Sequence, residues 1–166
     1  ISTVLTAFMT GLAAGSFIFG RIVDKNKSPL MLYALIEISI GISALVVPLS
    51  FTVIENFYTS FLGDMDPASL FSTIMRFSIS FLLLSIPATL MGGTLPVLSK
   101  YFIQRLEELG WNIGIIYAVN TFGAVIGCFV TGYILIAKIG VRNTTYLAVF
   151  MNIVIGLIAM AIAIKS

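Results

Sequence analysis

The chain has 166 residues, of which 59% are hydrophobic and 10% charged, with a mean hydropathy of +1.10. A soluble domain is about 45–50% apolar and about 25% charged, and nine Lys or Arg with seven Asp or Glu do not cover the surface of a soluble protein of this size, so the composition points to lipid as the solvent. The absence of His excludes Ser-His-Asp catalysis and imidazole metal sites, the single Cys128 excludes an internal disulfide framework and Cys-rich metal sites, and a net charge of +2 is too small for nucleic-acid binding.

Charges divide the chain into five apolar segments, which predict an all-α fold: one transmembrane domain over 1–166, a polytopic helix bundle with spans near 1–20, 29–54, 68–98, 112–137 and 142–164. None alternates at period two as a barrel strand does. The first segment lacks the basic leader of a signal peptide and is too long for one, so it reads as a mature span. It runs into a charged turn containing Arg21, Asp24, Lys25 and Lys27. Ala7, Gly11 and Gly15 repeat every fourth position, a spacing that lets helix backbones approach closely in lipid. That face serves packing within the chain, homodimerisation or a solute path. The chain begins at Ile1 instead of Met, which suggests a fragment or a processed product.

The second segment carries a single charge, Glu37, about 12 Å from its charged-turn end at about 1.5 Å per residue. An ionisable side chain at that depth is costly and is a functional candidate by default. The third segment carries Arg76, with Ser72, Thr73 and Ser80 on the same stripe. Counted from the outer side, Arg76 falls near the depth of Glu37. The two then form a structural ion pair or serve separately, Glu37 holding a cation or proton and Arg76 an anion; a neutral Glu37 beside a polar neighbour is the third alternative. The same segment is longer than one span needs and contains Pro87, Gly92, Gly93 and Pro96, which predict a helix break near 87–96. A proline kink followed by an interfacial helix is the plainer reading.

The fourth segment places Asn120 close to the depth of Glu37, on a face shared with Gly123, Gly127 and Thr131. Asn120 either bonds across helices or lines a cavity. Tyr101, Trp111 and Tyr117 sit where interfacial aromatic anchors belong. Lys and Arg favour the 21–27 turn, the 100–110 turn and the C-terminus over the 55–66 and 138–142 turns, where Glu55, Asp64 and Asp66 lie, which predicts a multi-pass plasma (inner) membrane protein with a cytoplasmic C-terminus. Ile1 then starts outside, so a parent with an inside N-terminus needs at least one further helix upstream.

Several strings resemble known proteins. Gly20-Arg21-Ile22-Val23-Asp24-Lys25 resembles the G-x-x-x-D-[RK] core of the loop motif between helices two and three of major facilitator superfamily transporters; the following glycine and paired basic residues of that motif are replaced by Asn26-Lys27-Ser28. MGGTLPVLSKYF at 91–102, IYAVNTFGAVIGCFVTGYIL at 116–135, GLAAGSFIFGRIVDK at 11–25 and LYALIEISIGISAL at 32–45 resemble the membrane region of fused major facilitator and spermidine synthase-like proteins, in order, as helices two to six of a facilitator-like half. The resemblance implies a loop latch built on Gly20, Asp24 and Lys25 and a connection to polyamines. The soluble aminopropyltransferase-like domain of those proteins is missing here, as are a Gly-rich nucleotide loop and its acidic ribose partner, so this chain is expected to be no enzyme, although a longer parent would carry that domain. No cofactor or metal is expected.

Two functions follow. The first is a membrane module, resembling the transmembrane region of those fused proteins, that acts as an anchor or assembly subunit for an aminopropyltransferase-like domain or another membrane chain. The second is a half-transporter for a small, cationic solute, with Glu37, Arg76 and Asn120 as path residues. One half cannot enclose a path between two repeats, so this reading requires a homo-oligomer or another membrane protein chain. In either case the first partner is the lipid bilayer.

Overall fold

A computed structural model describes residues 2–62, 70–102 and 109–165. The 63–69 connection with Asp64 and Asp66, the 103–108 connection with Arg105, and the side chains of Glu55 and Trp111 lie outside the described residues. The described chain is helical: α1 (Ser2–Lys25), α2 (Pro29–Leu62), α3 (Leu70–Phe102), α4 (Leu109–Phe129), a π-helical segment (Val130–Leu135) and α5 (Ile136–Lys165). Among the described residues, four stretches are long and apolar enough to cross a membrane, namely Val4–Lys25, Pro29–Pro48, Leu70–Phe102 and Ile113–Lys165.

Four stretches stand where five segments were expected because the fourth and fifth fall in one continuous stretch, Ile113–Lys165, of 53 residues. The run is not straight. Gly140 leaves helical geometry at φ 78°, ψ 166°, a conformation open to glycine because it has no Cβ. Thr131, Leu135 and Ile136 before it share a small cavity of about 300 Å³ with Val141, Thr144 and Met151 after it, so the chain bends sharply at Gly140. The Thr144 hydroxyl donates to the Gly140 carbonyl at 2.8 Å and braces the first turn beyond the bend.

Close packing is concentrated between α1 and α3. A Cβ on Gly11 would meet Ala88, one on Gly15 would collide with the Thr89 carbonyl, and one on Gly92 would collide with the Leu12 carbonyl. Gly93 seats the Phe19 ring. In lipid, where apolar burial between helices gains nothing over burial in acyl chains, such backbone proximity is the main source of helix association. A small core of Val23, Ile36, Ile40 and Val97 joins α1, α2 and α3. On the other face of α2, Gly41 lies against Ile153 and Val149, and Gly156 of α5 lies against Ile38 and the Ala34 carbonyl. Leu30 and Ala34 of α2 pack with Ala159 of α5.

These contacts bring the ends of several helices together. Asp24, at the end of α1, pairs with Lys100, near the end of α3, at 3.3 Å. Ala159, near the C-terminus, sits beside the start of α2. The 21–27 turn, the end of α3 and the C-terminus therefore occupy one end of the bundle, called here the turn end.

The expected break at 87–96 does not occur: α3 continues as helix from Leu70 to Phe102 through both Pro87 and Pro96. Each proline removes one ladder bond. Hydroxyl groups nearby add bonds along the same stretch: Ser85 to the Phe81 carbonyl at 2.7 Å, Thr89 to Ser85 at 2.7 Å and Thr94 to Met91 at 2.8 Å. The interlock with α1 clamps this stretch from outside. Proline in a membrane helix is tolerated where side-chain hydroxyls and neighbouring helices support the backbone in this way.

Candidate functional site

A cavity of about 490 Å³ lies between α2, α3 and α4. Each helix contributes one face, set by helical spacing. Tyr33 and Glu37, one turn apart, come from α2; Thr94, Leu95, Leu98 and Phe102 come from α3; Ile115, Ile116, Val119 and Asn120 come from α4. Glu37 and Asn120, far apart in the chain, thus line one space.

Glu37 lies about 12 Å from the start of α2 and Thr94 about 12 Å from the end of α3, both counted from the turn end. These two stand at one depth, with Tyr33 a turn nearer the turn end and Asn120 lining the same cavity from α4. The rest of the wall is apolar, made by Leu95, Leu98, Phe102, Ile115, Ile116 and Val119.

Glu37 is 7% exposed. Tyr33 stands one turn before it on the same face of α2. Thr94 donates its hydroxyl proton to Met91, which leaves the oxygen lone pairs free to accept. The Asn120 side chain is exposed and offers an amide oxygen as a further acceptor. The cavity thus holds several acceptors and one carboxyl group among its described lining residues, a set suited to the donors of an ammonium group.

Arg76 stands apart from this site. Because α3 is continuous, Arg76 is exposed on it roughly 27 Å before Thr94 along the helix. The ion pair with Glu37, one of the three alternatives raised by equal depth, is not formed. Counted from the outer side Arg76 fell near Glu37, but α3 is continuous to Phe102, which leaves the two far apart along the bundle. Of the residues expected at a break, Gly92 and Gly93 serve helix packing, and Pro87 and Pro96 lie inside the helix.

The loop residues form a separate feature at the turn end. Asp24 pairs with Lys100 and ties α1 to α3. Both side chains are exposed, so the pair contributes at most about 1 kcal/mol. Gly20 passes Pro96 at ordinary contact distance, Lys25 is exposed, and the Arg21 guanidinium lies over the Phe17 ring at 3.9 Å from its centroid. Asn26 accepts from the Ser28 amide at 2.9 Å and shapes the turn.

Sequence reasoning missed Tyr33 and Thr94. Tyr33 was accessible in principle, being four positions before an intramembrane carboxylate and hence on its face. Thr94 was obscured by the break expected around it. Lys100 as the partner of Asp24 had no local signal. Compared with models of protein families, with curated proteins and with solved structures, the chain matches none.

Proposed function

We propose that the chain is a helical membrane module, with a facilitator-like arrangement of five spans, that binds a small cationic solute in the cavity between α2, α3 and α4. The observation that carries this reading is the convergence of Glu37, Tyr33, Thr94 and Asn120 from three helices on one cavity with apolar walls. Its volume falls within the range of small-molecule pockets, about 300–1,000 Å³, and a few converging polar groups in an apolar wall are their usual form. The bend at Gly140 supports the five-span arrangement, because it separates two apolar helices near the boundary expected from Lys138 and Arg142. The strings at 91–102 and 116–135, similar to fused facilitator and spermidine synthase-like proteins, agree with it, and the excess of Lys and Arg favours the turn end as the cytoplasmic one.

As a transporter half, the module needs a second copy or another membrane chain to complete a path. Proteoliposomes containing wild type or Glu37→Gln test the reading directly. Wild type should accumulate or release a labelled small amine, and Glu37→Gln should do so at a markedly lower rate; equal flux removes Glu37 from the function.

A specific observation favours a second reading, that of an anchor or assembly subunit. Gly123 and Gly127 of α4 have no described atom within 4 Å of a built Cβ, so this small-residue face is open to another helix. Co-purification in mild detergent separates the two. A partner chain held at fixed stoichiometry, an aminopropyltransferase-like protein included, supports assembly, and a monomer argues against it.

A further inference from the structure

One wall of the cavity is not packed in place. The α2 and α3 sides belong to the interlocked part of the molecule: Ile36 and Ile40 of α2 and Val97 of α3 are buried against Val23 of α1, and Gly92 and Gly93 seat α3 on Leu12 and Phe19 of α1. The α4 side differs. Ile115, Val119 and Asn120 line the cavity and are nonetheless exposed, Val119 by 67%, so the wall they make stands ajar. None of the described residues of α4 is buried. A helix with so little buried surface moves at low cost.

The chain after α4 supplies a pivot. Val130–Leu135 is π-helical, a form at which helices kink. Gly140 adopts φ 78°, ψ 166°, a region essentially closed to residues with a Cβ. No described atom lies within 4 Å of a Cβ built there, which leaves room at the bend for the backbone to turn. Beyond the bend α5 is fixed: Thr144 and Val149 are buried, Gly156 sits against the Ala34 carbonyl, and Ala159 packs with Leu30 and Ala34 of α2. One arm of the bend is thus anchored on α2, and the other carries the loose wall of the cavity.

We infer that α4 is a lid that swings about Gly140, opening and closing the cavity while α5 and the α1–α3 seam stay in place. The lever is long. Asn120 lies roughly 30 Å before Gly140 along the helix, so a rotation of about 5° at the bend displaces it by about 3 Å. Closure covers Ile115 and Val119 and carries Asn120 towards Glu37 and Thr94. The motion belongs to the fold and goes beyond the cation reading, since it acts on any solute the cavity admits.

Double electron–electron resonance on the full chain in detergent tests the lid, with Cys128→Ser as the background because Cys128 is the single cysteine. Spin labels at Leu35→Cys on α2 and Ala118→Cys on α4 report the lid, and labels at Met9→Cys on α1 and Leu82→Cys on α3 report the seam; all four positions are exposed. Without solute, the lid pair should give a distance distribution at least about twice as wide as the seam pair. Gly140→Ala should deplete the longer lid distances by about fivefold or more, since a Cβ disfavours the present bend, and the unchanged seam distance should mark an intact fold. If that variant loses the seam distance, the two wild-type widths decide. A lid pair as narrow as the seam pair overturns the inference, and so does a broad one that a folded Gly140→Ala leaves unaltered. n-Butylamine should shift the lid pair to shorter distances by about 2 Å or more and leave the seam pair where it is. If the amine is bound in equilibrium dialysis and the lid pair does not shift, closure on a solute is overturned. If no amine binds while the lid pair is broad and responds to Gly140→Ala, the lid stands and the cation reading falls.

Discussion

α1 and α4 both carry small residues at every fourth position, yet they use them in opposite ways. On α1, Ala7, Gly11 and Gly15 are pressed against α3 so closely that a single added carbon at Gly15 strikes the Thr89 backbone. On α4, Gly123 and Gly127 face open space, and most of the described helix is exposed. Equal spacing permits close approach in both cases, and a partner with its own small residues at the matching level decides whether it happens. α3 supplies Ala88, Gly92 and Gly93 for α1. Nothing comparable in the described chain meets the glycine face of α4.

The difference has a functional side. The α1–α3 seam is a closed, rigid wall, whereas α4 stands off from α2 and α3, and the cavity occupies the space between them. A site between a fixed pair and a loosely held helix has room for a solute.

The largest effect expected from this contrast is on the seam itself. Gly15→Leu must displace backbone atoms of α3, because the obstacle is a carbonyl and not a flexible side-chain tip. It should destabilise the fold by more than about 2 kcal/mol, measured by reversible unfolding in mixed micelles; a loss below about 0.5 kcal/mol would mean that the seam is not the rigid element. Glu37→Gln comes next. It removes the carboxylate of the cavity and should weaken amine binding by about tenfold or more with little change in stability, since a charge-assisted bond becomes a neutral one.

Asn120→Ala should be milder, about two- to fivefold in amine affinity, because it removes one neutral acceptor from the loosely held wall. If it equals Glu37→Gln, α4 is held far more firmly on the cavity than its exposure suggests. Asp24→Asn breaks the exposed pair with Lys100 and should cost less than about 1 kcal/mol, with the difference from wild type vanishing in high salt. Smallest of all is Gly127→Leu, which meets no described atom and should leave monomer stability within about 0.5 kcal/mol. A large loss of assembly size on native gels with unchanged monomer stability would instead identify the open face as an oligomer contact.

Much of the candidate site was legible before any tertiary contact was known. Glu37 and Asn120 stood out because a carboxylate and an amide are costly in an apolar span, and counting rise per residue brought them to nearly one depth. The same counting misplaced Arg76: counted from the outer side it fell near Glu37, whereas counted back from the turn end along a continuous α3 it lies about 27 Å beyond Thr94. Two prolines and a glycine pair look like a break in isolation. In the folded chain the glycines are occupied by Leu12 and Phe19, and the helix they seemed to interrupt is held by that contact.

Hydropathy and charge are local properties, and they determined what local properties can: helices long and apolar enough to cross a membrane and the polar residues that need a reason to be buried. Partner choice was decided only by the tertiary structure. These helices are apolar on nearly all sides, so lipid-facing and helix-facing surfaces look alike in sequence. What distinguishes them is shape, the fit of Gly11 and Gly15 to Ala88 and Thr89, and that depends on residues more than seventy positions apart arriving at one level. The pairing of Asp24 with Lys100 belongs to the same packing of α1 on α3.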